Sequence, residues 1–304
     1  MTIQWFPGHM AKARREITEK LKLIDVVIEL VDARLPLSSR NPMLQEIIQQ
    51  KPHLLVMTKV DLADETKTAE WVKYFQDSGL AVVMVNAEKG EGLQKISAQA
   101  KRLVQDKMQA MARKGIRPRA VRALILGIPN VGKSSLINRF AKKSIAKTGD
   151  KPGVTRMQQW IKVGKDFELL DTPGILWPKF DDPLVGFRLA ASGAIKSDIL
   201  NQEEVACFLL RWLQTHYRQQ LFTRYKLDVI PEQEQDVLLR IAEKRGLLRA
   251  GGVVDGSAAA ELILREYQTG MLGRISLEFA GDHGESRGEV SNPEAAGEVE
   301  GVIE

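Results

Sequence analysis

Gly127, Gly132, Lys133 and Ser134 stand at the spacing G-x-x-x-x-G-K-S, between an apolar run at 120–127 that reads as a strand and the helix-like SSLINRFAKK. A phosphate cradle needs that context. The backbone from Pro129 through Asn130, Val131, Gly132, Lys133, Ser134 and Ser135 can wrap phosphate oxygens, and the helix dipole attracts negative charge. Lys133 can reach the β and γ phosphates and Ser134 can ligate Mg²⁺. Thirty-seven residues past Ser134, Asp171 opens the string DTPG directly after the apolar FELL. Asp171 can hold Mg²⁺ through water, and the Gly174 amide can meet a γ-phosphate. Between the two motifs lies KPGVTR, whose Thr155 can offer its hydroxyl to Mg²⁺ only when the loop closes over a triphosphate, so switching follows.

The base is specified elsewhere. Thr58-Lys59-Val60-Asp61 follows an apolar run, and a carboxylate there can accept hydrogen bonds from both the imino and the amino group of guanine, a pair that adenine does not offer. The wrong base would leave Asp61 unpaired. The stem of Lys59 can cover one ring face, and Asn86-Ala87, after the next apolar run, can present backbone to the guanine carbonyl. Taken alone, TKVD suits a solvated strand end and DTPG a plain turn; KPGVTR and DTPG reinforce one another because they follow a P-loop in this order.

Positioning these residues takes an α/β frame. VVIELV at 26–31, HLLVMTK at 53–59 and LAVVMVNA at 80–87 read as buried strands, with helix-like stretches at 41–50 and 64–78 between them, which implies βαβ units and a mainly parallel sheet. A β-ribbon is predicted over 157–171. After about residue 200 the spacing turns helical, with Val205, Phe208, Leu209, Trp212 and Leu213 as a core stripe. Three segments are expected: a GTPase domain at 1–185 with a basic N-terminal stretch, a helical domain at 186–280 and an acidic disordered tail at 281–304.

The base motif precedes the P-loop by 69 residues, whereas in ordinary GTPases it follows the phosphate motifs. With FPGHM at 6–10 and DARLPLSSRNP at 32–42, this rotated order resembles the circularly permuted GTPases, and most closely the ribosome biogenesis GTPase A (YlqF) family, over about residues 1–280. The resemblance implies a GTP-hydrolysing factor for late maturation of the large ribosomal subunit that contacts rRNA and ribosomal proteins. It also makes FPGHM a signature and His9 a candidate for orienting the attacking water, with Lys133, Thr155 and Gly174 serving the phosphates. A histidine beside Pro7 and Gly8 is otherwise most simply structural. Ile175 stands after DTPG where a water-orienting glutamine would be, and Thr58 replaces the usual asparagine. Asn130 can turn its carbonyl oxygen toward a monovalent cation, and resemblance to potassium-activated GTPases favours K⁺ beside Mg²⁺; the plainer reading is an asparagine tolerating an awkward loop dihedral.

The net charge is +5, but residues 1–199 carry +12, residues 200–280 carry −1 and residues 281–304 carry −6. The densest cluster, 101–122, holds Lys101, Arg102, Lys107, Arg113, Lys114, Arg117, Arg119 and Arg122 against Asp106 alone. It is the connection a permutation requires, hence exposed, and is expected to meet RNA phosphates. A second cluster, Arg139 to Arg156, borders Thr155. The single cysteine, Cys207, cannot form an internal disulfide, no apolar run approaches the roughly 18–20 residues of a membrane span, and the N-terminus lacks a secretory pattern. A cytoplasmic monomer with no membrane partner is therefore expected. The rival reading is a GTP-gated RNA or protein binding module with negligible turnover, which Ile175 keeps open; a signalling GTPase is disfavoured by the basic connection.

Overall fold

The computed structural model describes residues 15, 17–48, 51–117, 119–141, 159–171, 176, 180, 182–195 and 201–283. Val26–Asp32 (β1), His53–Thr58 (β2), Ala81–Met84 (β3), Val121–Gly127 (β4), Gln159–Val163 (β5) and Phe167–Asp171 (β6) form one sheet in the order β3-β2-β1-β4-β6-β5. All pairings are parallel except β5 with β6, so the ribbon expected over 157–171 is an antiparallel hairpin on an otherwise parallel sheet. β1 and β4 lie side by side where the strand order reverses, and in open α/β sheets the crevice beyond the carboxyl ends at such a point takes ligands. The loops after β1, β2 and β4 all open there.

The connecting helices are Pro42–Ile48 (α1), Glu65–Asp77 (α2), Leu93–Leu103 (α3), Gln105–Arg113 (α4) and Lys133–Ala141 (α5). Both faces of the sheet are covered, which is why β1 is buried along its whole length instead of alternating. Val26, Ile28 and Leu30 join Ile96, Ile125, Leu136 and Ile137 on one side; Val27, Leu124 and Leu170 meet Ile17, Leu44 and Ile48 on the other. Asp64 starts α2 by accepting from the Lys67 amide at 3.1 Å, as an N-cap carboxylate should.

Pro183–Ala191 (α6) leads to Gln202–His216 (α7), Arg218–Tyr225 (α8), Glu234–Lys244 (α9) and Gly256–Gln268 (α10). The expected stripe on α7 is shifted: Val205, Leu209 and Leu213 are buried with Ala206 and Leu210, while Phe208 and Trp212 lie at the margin of that core. Phe208 stacks on Phe187, and the Trp212 indole donates to the Ser276 carbonyl at 2.9 Å. A cut at 185/186 falls inside α6, whose Leu189 belongs to the sheet core and Ala191 to the helical core. Ala280–His283 form one 3-10 turn, so defined structure continues past residue 280.

The chain then returns to the sheet. Leu277 N–H donates to the Arg34 carbonyl at 2.7 Å, Ile275 N–H to the Leu62 carbonyl at 3.0 Å, and the Trp71 indole to the Glu278 carbonyl at 3.1 Å. The buried Glu278 carboxylate accepts from the Leu37 and Ser38 amides at 2.7 and 2.9 Å and pairs with Arg188. The last described segment is therefore wedged against the loops that follow β1 and β2.

The connection at 101–122 departs from the expectation of a wholly exposed basic strip. It is largely helical, and four of its cations are committed to carboxylates: Lys107 and Arg119 to buried Asp25, Lys101 to Asp166 and Arg122 to Glu168. Burial alone would raise the Asp25 carboxyl, but its donors bring it down to about 2. Arg102, Arg113, Lys114 and Arg117 form no ion pair among the described residues and are exposed.

Candidate functional site

Two backbone features shape the P-loop. A Cβ on Gly127 would lie 2.8 Å from Val131 Cγ1 and 3.2 Å from the Leu30 carbonyl, so a larger residue here would push on the loop and on β1 together. Asn130 and Gly132 have positive φ, 57° and 96°, and alternating left-handed residues before a helix turn successive N–H groups toward one concavity. Pro129 has no N–H, so the donors begin at Asn130 and run through Val131, Gly132, Lys133, Ser134 and Ser135 to the start of α5.

Lys133 and Asp171 meet beneath this loop. The buried Lys133 Nζ lies 2.6 Å from Asp171 Oδ1, and burial draws the lysine pKa down against the pull of that carboxylate. Asp171 Oδ2 is buried with no hydrogen-bond partner among the described residues, and the Ser134 hydroxyl makes none either. An orphaned carboxylate oxygen is costly unless something fills its coordination. This donor set, a carboxylate and a hydroxyl both of hard oxygen, fits Mg²⁺. Thr155, Gly174, Ile175 and His9 fall outside the described residues, as does the second basic cluster beyond Arg139, whose guanidinium donates to the Glu88 carbonyl.

Asn130 adopts the left-handed conformation, and its amide donates to the Gly193 carbonyl at 2.7 Å. The plainer reading of Asn130 as a dihedral-tolerant loop residue is thus present in the geometry, and the side chain also ties the P-loop to the turn after α6. Gln268 of α10 donates to the Ala191 carbonyl in the same turn.

The base-type loop is joined to the P-loop directly. The fully buried Thr58 hydroxyl lies 2.6 Å from the Val131 carbonyl, so threonine supplies the link between the two loops. Lys59 also has positive φ, 55°, and its ammonium sits 3.1 Å from Asp32. Asp32 is gripped in turn by the buried Arg34 at 2.9 and 2.7 Å, and Arg34 reaches the Tyr267 carbonyl. Burial would raise the Asp32 carboxyl, but the charges of Arg34 and Lys59 overcome it and hold the group well below the usual carboxylate range. Asp61 is half-buried and accepts no hydrogen bond among the described residues, which leaves both carboxylate oxygens available.

Asn86 is buried and organises its own turn, accepting from the Glu88 and Lys89 amides at 3.0 and 3.1 Å. Its side chain thus shapes the loop, and Ala87 packs at the edge of the sheet core. A Cβ on Gly92 would fall 2.2 Å from the Met84 carbonyl, so the return of this loop needs glycine. Sequence reading assigned no role to Asp32 and Arg34. Their signal is two opposite charges, two residues apart, at the end of a strand that is apolar but for Glu29 and buried throughout.

A mainly parallel sheet with a phosphate loop after β4 and a guanine-type loop after β2, met in that reversed order along the chain, defines a circularly permuted P-loop GTPase. The model of the RsgA GTPase family matches residues 26–180, and that of the 50S ribosome-binding GTPase family residues 122–243. Ribosome biogenesis GTPase A of Bacillus cereus is 59% identical, covering 94% of this chain and 96% of that protein. Mitochondrial ribosome-associated GTPase 1 of Mus musculus is 34% identical, covering 90% of each. The solved GNP-bound YlqF from T. maritima superposes with a TM-score of 0.61 at 27% identity, covering 88% of this chain and 98% of that one. The chain belongs to the ribosome biogenesis GTPase A (YlqF) family.

Proposed function

We propose that this GTPase hydrolyses GTP to GDP and phosphate as an assembly factor for the large ribosomal subunit, engaging rRNA and ribosomal proteins as a monomer in the cytoplasm. The Thr58–Val131 hydrogen bond carries the site reading, because it joins the base loop and the phosphate loop into one crevice despite their reversed order. The names of the relatives support the ribosomal reading, and the unpaired cations of the connection supply charge for RNA phosphate. Among the described residues no helix is long and apolar enough to cross a membrane.

In this reading the backbone from Asn130 to Ser135 and the Lys133 ammonium hold the phosphates. Asp61 selects guanine, Lys59 covers the ring, and the Asn86-Ala87 turn presents backbone to the base. Ser134, Thr155 and Asp171 hold Mg²⁺, which supplies charge neutralisation on the phosphates. Thr155 and Gly174 report the γ-phosphate. His9 orients water for attack on the γ-phosphorus as the bond to the bridging oxygen breaks. A group that acts on water alone contributes in the transition state, so His9→Ala should lower turnover stimulated by purified large subunits about 10²-fold or more while leaving GTP affinity intact. Absence of any stimulation by large subunits would sink the assembly reading.

Asn130 is assigned the monovalent cation. Its amide faces Gly193, so the carbonyl oxygen is the atom that would turn to K⁺. Turnover should be faster in KCl than in NaCl at equal ionic strength, and Asn130→Ala should erase the difference; equal rates in wild type would remove the assignment.

A further inference from the structure

We propose that Trp160, with Arg122, forms a stacking site for an unpaired nucleotide of RNA at the β5 edge of the sheet. The inference rests on the reading that this protein works on ribosomal RNA, and adds a place where a base is held. Trp160 lies on the edge strand β5 and is 41% exposed, although a ring of that size is normally worth covering. Strand register explains the geometry. Leu124, Leu170 and Trp160 form one row across β4, β6 and β5, and Arg122, Glu168 and Lys162 form the next row on the same face. The apolar row starts in the buried core and ends with Trp160 at solvent. In the charged row, Glu168 sits between two cations and holds the Arg122 guanidinium at 3.3 Å. That anchored guanidinium lies over the Trp160 ring, 5.3 Å from its centre, within cation–π range.

A fixed ring backed by a fixed cation is a platform for a base, whose π-face needs no particular sequence. The surroundings match a nucleic acid strand: Lys162, two residues along β5 on the face of Trp160, and Lys165, in the turn to β6, are exposed, and the unpaired Arg113, Lys114 and Arg117 lie on the segment leading into Arg122. An extended peptide added to the β5 edge would be read through backbone hydrogen bonds and would use neither the guanidinium nor this charge.

The test measures binding of the full chain, loaded with a non-hydrolysable GTP analogue, to protein-free large-subunit rRNA and to whole large subunits over a KCl series. Stacking is worth about 1–3 kcal/mol per base, so Trp160→Leu should weaken RNA binding roughly ten-fold with the slope of log affinity against log salt unchanged, and Trp160→Phe should bind within about threefold of wild type. Arg113→Gln, Lys114→Gln and Arg117→Gln combined should instead flatten the slope by about two to three. GDP affinity and circular dichroism of Trp160→Leu should match wild type. Wild-type RNA affinity in Trp160→Leu overturns the stacking site while a flattened slope in the triple variant preserves the RNA reading; no effect in either overturns both. Loss on whole subunits alone would make the occupant a ribosomal protein, and a changed sedimentation coefficient would make it a second copy; either overturns the proposal.

Discussion

Asp61→Asn should weaken GTP binding at least a hundred-fold and bring xanthosine triphosphate binding close to the wild-type level for GTP. Guanine presents two donors, the imino and amino groups, and a carboxylate accepts both. An asparagine keeps one acceptor and places a donor against the guanine amino group, which leaves a desolvated polar group unpaired. Xanthine keeps the imino donor and replaces the amino group with a carbonyl that the asparagine amide can meet. Sites built on such pairs discriminate by factors of up to about 10⁴–10⁵. Asp61 is half-buried and free of hydrogen bonds to described residues, and its charge acts as a minor partner of Arg34 and Lys59, so the midpoint denaturant concentration should fall only slightly. Competition binding with the two nucleotides checks the prediction, and an unchanged preference would remove Asp61 from the base site.

The parts of the site that were legible in the sequence are those where a backbone demand and a side-chain chemistry coincide. Gly127 and Gly132 are legible because a phosphate loop needs a crowded strand end and a left-handed turn, and both appear here: a Cβ on Gly127 would lie 2.8 Å from Val131 of the loop and 3.2 Å from the Leu30 carbonyl of β1, and Gly132 has a φ of 96°. The strands were legible because burial on both faces leaves nearly continuous apolar runs such as VVIELV, broken only by the ion-paired Glu29. The shifted stripe on α7 shows where periodicity stops helping: Phe208 and Trp212 fit the spacing, but their size and the indole N–H place them at the rim, where Trp212 finds the Ser276 carbonyl. Pairings distant in sequence left no local signal. Glu278 gives no hint that it will accept from Leu37 and Ser38, 241 and 240 residues away. The basic connection misled for the same reason, since a charge count cannot foresee that Asp25 sits beneath Lys107 and Arg119.

Lys133 should prove to be both the phosphate ligand and the counter-charge of Asp171, and the two roles separate in a double-mutant cycle. Lys133→Ala removes one member of a pair whose side chains are 6% and 0% exposed. Breaking a buried pair from one side costs about 3–5 kcal/mol, because a carboxylate stays buried without compensation. Lys133→Ala should therefore lose triphosphate affinity and fall in stability together, which taken alone would not distinguish a ligand from a structural residue. Asp171→Asn in the same chain removes the stranded charge and should restore most of the stability, read as denaturant midpoint, without restoring any nucleotide affinity. The single variant Asp171→Asn adds a metal-dependent readout. With Mg²⁺ present it should bind GTP more weakly than wild type, since the orphaned Oδ2 is the oxygen assigned to the hydrated ion. In EDTA it should bind GTP at least as tightly as wild type, because Lys133 no longer has to leave a carboxylate 2.6 Å away before it can meet a phosphate. A double variant that regains affinity along with stability would make Lys133 a purely structural residue, and equal weakening of Asp171→Asn with and without Mg²⁺ would take Asp171 out of the metal site.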